Sequence, residues 1–283
     1  VQSRKIFQTI RKENAWLREQ VKQYNIDVII SDNRYGLYHA EATSIFITHQ
    51  LNIETGNSIL NKIAQKINYY FINRFSACWV PDGNEEIKLA GKLSHPEIYP
   101  SIPVRYIDIL SRFSPLNVDK EYDIIILLSG PEPQRSILEE KLISQAINTE
   151  FKILLVRGLP GGNTTTLKNT ARLEIVNHLP ARVLNTKMAA SALVVCRSGY
   201  SSVMDLIAMQ KKAVFIPTPG QKEQEYLAAW LKENKWFNYK QQEEFMLQYV
   251  FSLAENYSPP LNKKTNVLDN SVDNLLAGFR IPG

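Results

Sequence analysis

The chain has 283 residues, 44% of them hydrophobic and 22% charged, a globular composition long enough for one large domain or two of medium size. Its net charge of +5 is mild, and no block of consecutive Lys or Arg stands out, so the expectation is no nucleic-acid partner. Phosphorylated substrates and an anionic membrane surface both remain compatible with that charge.

No signal peptide and no uninterrupted apolar run of about 18 residues is found, which predicts a cytoplasmic protein, soluble or peripheral. Cys78 and Cys196 sit among apolar residues at no metal-binding separation and are expected to be buried free thiols.

A helical pattern over Lys5 to Tyr24 leads into the apolar run Ile26 to Asp32, read as a buried strand. The loop "NRYGLYH" and a strand from Ser44 to Gln50 follow. Ile59, Ile63, Ile67, Tyr70 and Phe71 then recur at helical spacing, and "ACWVPD" reads as a third strand. "HPEIYPSIPVRYIDILSRFSP" is Pro-rich, lacks a helical period and is assigned as a linker.

A second series begins with a strand at Ile124 to Leu128 and a helix from Ser136 to Ala146. Strands "FKILLVRG", "LEIVNHLP", "ALVVCRSG" and "KAVFIPTPG" follow, with helices "VLNTKMAAS", "YSSVMDLIAMQ" and "QEYLAAWLKEN" among them, and a last helix spans Val267 to Ala277. Strands alternating with helices at this spacing predict βαβ units. Strands without polar alternation predict parallel sheets covered on both faces. The expected fold is α/β, with two Rossmann-like domains whose parallel sheets face a cleft.

Ligands of open parallel sheets bind beyond the carboxyl ends of the strands. Arg197, Ser198 and Gly199 stand there, just ahead of a helix whose free N–H groups attract an anion. The same Ser-Gly also suits a plain tight turn. Asp205 lies two helical turns on, where a carboxylate can accept both ribose hydroxyls or simply face solvent. Gln221, Gln224 and Glu225 follow the next strand, and Ser129, Gly130 and Arg135 follow the first strand of this series. His49 and Asp32 end strands of the first series and are the candidate bases; His49 also suits a loop histidine bonded to backbone, and Asp32 needs burial to raise its pKa. No Asp-x-Asp occurs, so neither a metal nor a cofactor is expected.

The stretch Val194 to Leu231 resembles the nucleotide-sugar half of GT-B glycosyltransferases of family 28, closest in pattern to the N-acetylglucosaminyltransferases that make lipid II in peptidoglycan synthesis. On that resemblance Ser198, Gly199 and Ser202 hold the phosphates and Asp205, where the family has Glu, holds the UDP ribose. Gln224 and Glu225 stand where the family has two glutamines facing the donor sugar. His49 and Asn52 match the ends of the family's His-Glu-Gln-Asn motif on the acceptor side. Arg112 of "ILSRF" matches the arginine near the donor diphosphate, and Ser129-Gly130 the Gly-Gly-Ser loop.

The resemblance implies an inverting, metal-independent transfer of a sugar, an N-acetylhexosamine, from a UDP-sugar to an acceptor sugar or a lipid-linked sugar of the cell envelope. It further implies an acceptor-side domain at 1–111, a nucleotide-sugar domain at 112–260 and a tail helix at 261–283. The family's opening strand and Gly-rich loop have no counterpart before Ile26, so the first domain is expected to be incomplete in this chain. A lipid-linked acceptor implies peripheral contact with the inner membrane face. "INYYFINRF" (Ile67 to Phe75) has a suitable apolar and basic character, although its spacing equally suits core packing. A UDP-sugar hydrolase, a 2-epimerase and a non-catalytic nucleotide-sugar-binding subunit are the competing expectations.

Overall fold

A computed structural model describes residues 2–83, 87–161, 169–261 and 267–277. The chain divides into two units, residues 1–109 with 264–283, and residues 110–263.

The first unit starts with α1 (Gln2–Tyr24), whose buried stripe Ile10, Asn14, Leu17 and Val21 follows helical spacing. Strands β1 (Val28–Asp32) and β2 (Thr43–Ile47) come next, then α2 (Ser58–Ile72), β3 (Ala77–Val80) and β4 (Val104–Tyr106). All four strands are parallel, in the order β1-β2-β3-β4. Asn57 caps α2, its side chain accepting from the N–H groups of Ile59 and Leu60. The loop after β1 is held against α1: buried Asn14 donates to the carbonyls of Gly36 (3.0 Å) and Tyr38 (2.8 Å). A Cβ at Gly36 would meet the Ile10 carbonyl and Glu13 Cβ at 2.6 Å each, so only glycine fits there.

Two expectations change in this unit. The Pro-rich segment is not wholly a linker, because β4 pairs with β3 directly after Pro103. Three residues are too few to show alternation. The apolar positions of α2 do not form one core face either. Ile59, Ile63, Ile67 and Tyr70 are exposed, while Phe71, Ile72 and Phe75 are buried with Phe46, Leu51 and Val80.

The second unit contains β5 (Tyr122–Leu127), α3 (Gln134–Ala146), β6 (Ile153–Val156), β7 (Leu173–Val176), α4 (Ala181–Ala189), β8 (Ser191–Cys196), α5 (Tyr200–Ala208), β9 (Ala213–Phe215), α6 (Lys222–Glu233), β10 (Asn238–Tyr239) and α7 (Val250–Ala254). The six strands are all parallel, ordered β10-β9-β8-β5-β6-β7. Ile124, Ile125 and Ile126 are fully buried, as expected where both faces of a β-branched strand are covered. Sequence reading missed β10 and α7, which are very short. The helix α8 (Val267–Ala277) forms where its periodicity predicts.

The strand order places the site. From β5 the chain builds outward through β6 and β7, then returns to β5's other side for β8, β9 and β10. The direction of winding reverses between β5 and β8. A crevice opens at such a reversal, outside the carboxyl ends of the two strands.

Candidate nucleotide-sugar site

Ser129 and Gly130 follow β5 at this reversal, and Ser198 and Gly199 follow β8. Gly130 has φ +104°, a conformation that side chains other than glycine's rarely adopt. Gly199 is the N-cap of α5 with extended backbone, and no heavy atom lies within 4 Å of where its Cβ would stand. No side-chain hydrogen bond caps α5, whose N-terminus carries the partial positive charge of a helix start.

A cavity of about 650 Å³ lies beside these loops within the second unit, lined by Ser111, Arg112, Ser129, Ser202 and Asp205, with Leu184 and Met188 among its apolar walls. The 2.6 Å hydrogen bond from Ser111 Oγ to Asp205 Oδ1 orients the carboxylate, and Ser111 Oγ in turn accepts from Phe113 N (3.0 Å). Burial pushes the Asp205 carboxyl above its ordinary range, while Ser111 and the Arg112 charge pull it back. The Arg112 guanidinium lies over the Phe113 ring, 5.2 Å from its centroid. The structure thus brings Arg112, Ser129, Ser202 and Asp205 together around one space.

Other expected ligands are committed elsewhere. Arg197 is 1% exposed and donates to the carbonyls of Ile216, Pro217 and Gln134 and to Gln242 Oε1, at 2.7–3.1 Å. Its desolvation pulls the guanidinium pKa down to about 10. Through its two terminal nitrogens it clamps the carboxyl edge of the sheet. Arg135 is likewise buried, ion-paired with Glu139 and Glu132, and Glu139 also pairs with Arg157. The buried Ser198 hydroxyl donates to the Gln224 carbonyl (2.8 Å), which leaves only the backbone of this Ser-Gly pair for an anion. Gln224 accepts from Thr218 N and donates to Gln221 Oε1, and Glu225 accepts from Gly220 N and pairs with Lys222. These three side chains shape the loop between β9 and α6.

In the first unit Asp32 ends β1 in register with Ile47, two residues before His49, so both candidate bases share the carboxyl edge of their sheet. Asp32 is exposed and lacks the burial expected of a base. The loop following β2 is pinned by α2: Asn68 donates to the carbonyls of Gln50 (3.1 Å) and Leu51 (3.2 Å) and accepts from the Tyr35 hydroxyl (2.8 Å). Another cavity of about 650 Å³ lies in this unit, lined by Asn52, Lys62, Gln65, Lys66, Lys92 and His95.

Sequence reasoning missed Ser111, which sits inside "ILSRF", a segment read only for its arginine. It also missed the apolar walls that α4 supplies; the only signal for them was the helix itself. Both thiols are buried and free as expected, and burial pushes each up to about 12.

This architecture is the GT-B fold. Residues 136–271 match the model for the glycosyltransferase family 28 C-terminal domain, a span that takes in most of the second unit. Among solved structures, the chain is similar to MurG of Acinetobacter baumannii at TM-score 0.56 and 15% identity, covering 95% of this chain and 78% of that one. It is similar to CalG4, the calicheamicin glycosyltransferase, at TM-score 0.60 and 10% identity, covering 98% and 83%. A UDP-N-acetylglucosamine 2-epimerase assigned in Listeria monocytogenes shares the fold at TM-score 0.54 and 8% identity, covering 97% and 80%. No curated protein matches the sequence.

Proposed function

We propose that this chain is a UDP-sugar-dependent glycosyltransferase acting by inversion and without a metal, with an N-acetylhexosamine as the sugar and a hydroxyl of a lipid-linked sugar as the acceptor. The observation that carries the proposal is the oriented Asp205 carboxylate in a cavity beside the uncapped N-terminus of α5, within the span that matches the family 28 domain.

In this reading Asp205 accepts hydrogen bonds from the ribose hydroxyls. The N–H groups at the start of α5 and around Gly130 receive the diphosphate, and Arg112 adds positive charge. As the bond from the anomeric carbon to the phosphate oxygen breaks, the electron pair passes to that oxygen and these donors stabilise it. A well-placed donor of this kind lowers a barrier by about 3–4 kcal/mol. The acceptor oxygen bonds to the opposite face of the anomeric carbon, and His49 takes its proton. Asp32, in the open, is the weaker base of the two.

Peripheral contact with the inner membrane face is part of the proposal. The exposed stripe Ile59, Ile63, Ile67 and Tyr70 along α2, beside exposed Lys62 and Lys66, has the apolar and basic character that an anionic leaflet attracts. No helix among the described residues is long and apolar enough to cross a membrane.

Calorimetric titration with UDP, GDP, dTDP and ADP, with and without magnesium, tests the donor. UDP is expected to bind tightest and to need no magnesium; absence of binding by all four overturns the proposal. With labelled UDP-sugars and membrane extract, label moving into lipid supports transfer. Free sugar released by water alone points to a hydrolase, a C2-epimer to an epimerase, and binding without turnover to a non-catalytic subunit.

A further inference from the structure

Two buried side-chain atoms among the described residues have no hydrogen-bond partner, Nε of Arg197 and Oγ1 of Thr218. Both lie at the carboxyl edge of the second sheet, after the adjacent strands β8 and β9. Thr218 is 1% exposed. Its backbone is secured on both sides: Thr218 N donates to Gln224 Oε1 (2.9 Å), and its carbonyl accepts from Gln221 N (3.0 Å). The hydroxyl alone is left over. Valine would fill the same volume without a polar atom, so an unpaired threonine here is a cost that the folded chain alone does not offset.

The place the hydroxyl faces is defined by Gly130. On the side-chain face of Gly130, the one heavy atom within 4 Å of an ideal Cβ is Thr218 Oγ1, at 3.6 Å. With φ +104°, Gly130 keeps that volume empty, since side chains rarely adopt this conformation. An oxygen entering there comes within hydrogen-bond distance of Oγ1 after a shift of a few tenths of an ångström. The same loop borders the cavity through Ser129.

We infer that the Thr218 hydroxyl donates a hydrogen bond to a terminal phosphoryl oxygen of the nucleoside diphosphate, seated in the space that Gly130 keeps open. The inference rests on the donor reading proposed above and adds a binding residue that neither the sequence pattern nor the family match singles out. Thr218 then discriminates diphosphate from monophosphate, because the oxygen it meets is absent from UMP.

The test uses the full chain with Thr218→Val and Thr218→Ser. Without ligand, Thr218→Val is expected to unfold at the same temperature as the parent or higher. A clear drop means that the hydroxyl has an internal partner and overturns the inference. In calorimetry, Thr218→Val is expected to bind UDP about tenfold more weakly, as for loss of a hydrogen bond to a charged group, and UMP as the parent does. Thr218→Ser should keep UDP affinity within about twofold, since it retains the donor. Unchanged UDP affinity in Thr218→Val, or equal losses for UDP and UMP, removes the assignment while leaving the donor reading intact. A parent protein that binds neither nucleotide overturns both.

Discussion

Ser111 and Asp205, 94 residues apart in the chain, are joined by a hydrogen bond of 2.6 Å from hydroxyl to carboxylate. The serine precedes every strand of its sheet, and the aspartate lies within the helix that follows β8. One bond therefore ties the entry of the second unit to the helix whose N-terminus opens on the cavity.

Ser111→Ala removes a donor that favours the ionised carboxylate, so the Asp205 pKa should rise further. UDP affinity at neutral pH is expected to fall several-fold, about the worth of one oriented hydrogen bond. Calorimetry of parent and variant checks this, and equal affinities would show that the serine does not orient the carboxylate.

Asp205 also predicts two opposite pH responses. Its pKa is raised in the folded state, so its contribution to stability is fully present below the unfolded value and is lost as pH rises through the folded value. Ribose binding needs the ionised form. UDP affinity should therefore weaken as pH falls from about 7 towards about 4, with a midpoint above the ordinary aspartate value. Asp205→Asn should bind weakly at every pH, show no such midpoint and unfold no earlier than the parent at neutral pH. Titrations and melts across pH decide it.

Arg197→Met should be severely destabilising although it lies beside the site. It strands three buried carbonyls and the Gln242 side chain, a loss of about 3 kcal/mol or more. Denaturant unfolding measures the loss. A variant as stable as the parent but unable to bind UDP would return Arg197 to the phosphate site.

Glu139 pairs with both Arg135 and Arg157 in a buried cluster. Glu139→Gln removes the charge shared by two arginines, leaving Arg135 with Glu132 and Arg157 with Asn177, and should cost about 3 kcal/mol, with little relief from salt because the cluster is shielded. Chemical denaturation at low and high ionic strength tests both parts.

Ile63→Asp with Ile67→Asp places two charges on the exposed stripe of α2. Stability should change by less than about 0.5 kcal/mol per site, since neither side chain is buried. Sedimentation with vesicles of anionic phospholipid should capture the parent and lose the variant. Equal capture would separate the stripe from membrane contact.

The fold was largely legible because parallel strands buried on both faces are written as unbroken apolar runs; Ile124 to Leu128 and "ALVVC" are examples. What escaped was short: β4, β10 and α7 hold too few residues for any period to emerge. The α2 stripe misled because helical spacing reports one face of a helix without saying what that face meets, and Ile67 and Tyr70 point outward. In the site, position read better than role. Asp205 and Ser202 line the cavity, whereas Arg197 turns its charge toward acceptors from Gln134 and Gln242, far off in the chain, and Arg135 pairs with Glu132 and Glu139 beside it on its own helix end. Proximity along a sequence cannot reveal which way a long side chain folds back.

The clamp built by Arg197 has an evolutionary consequence. None of its four partners, Ile216, Pro217, Gln134 and Gln242, lines the cavity around Asp205. Scaffold and lining can therefore mutate on separate schedules, so the residues around Asp205 can be exchanged over generations while the frame beneath stays intact.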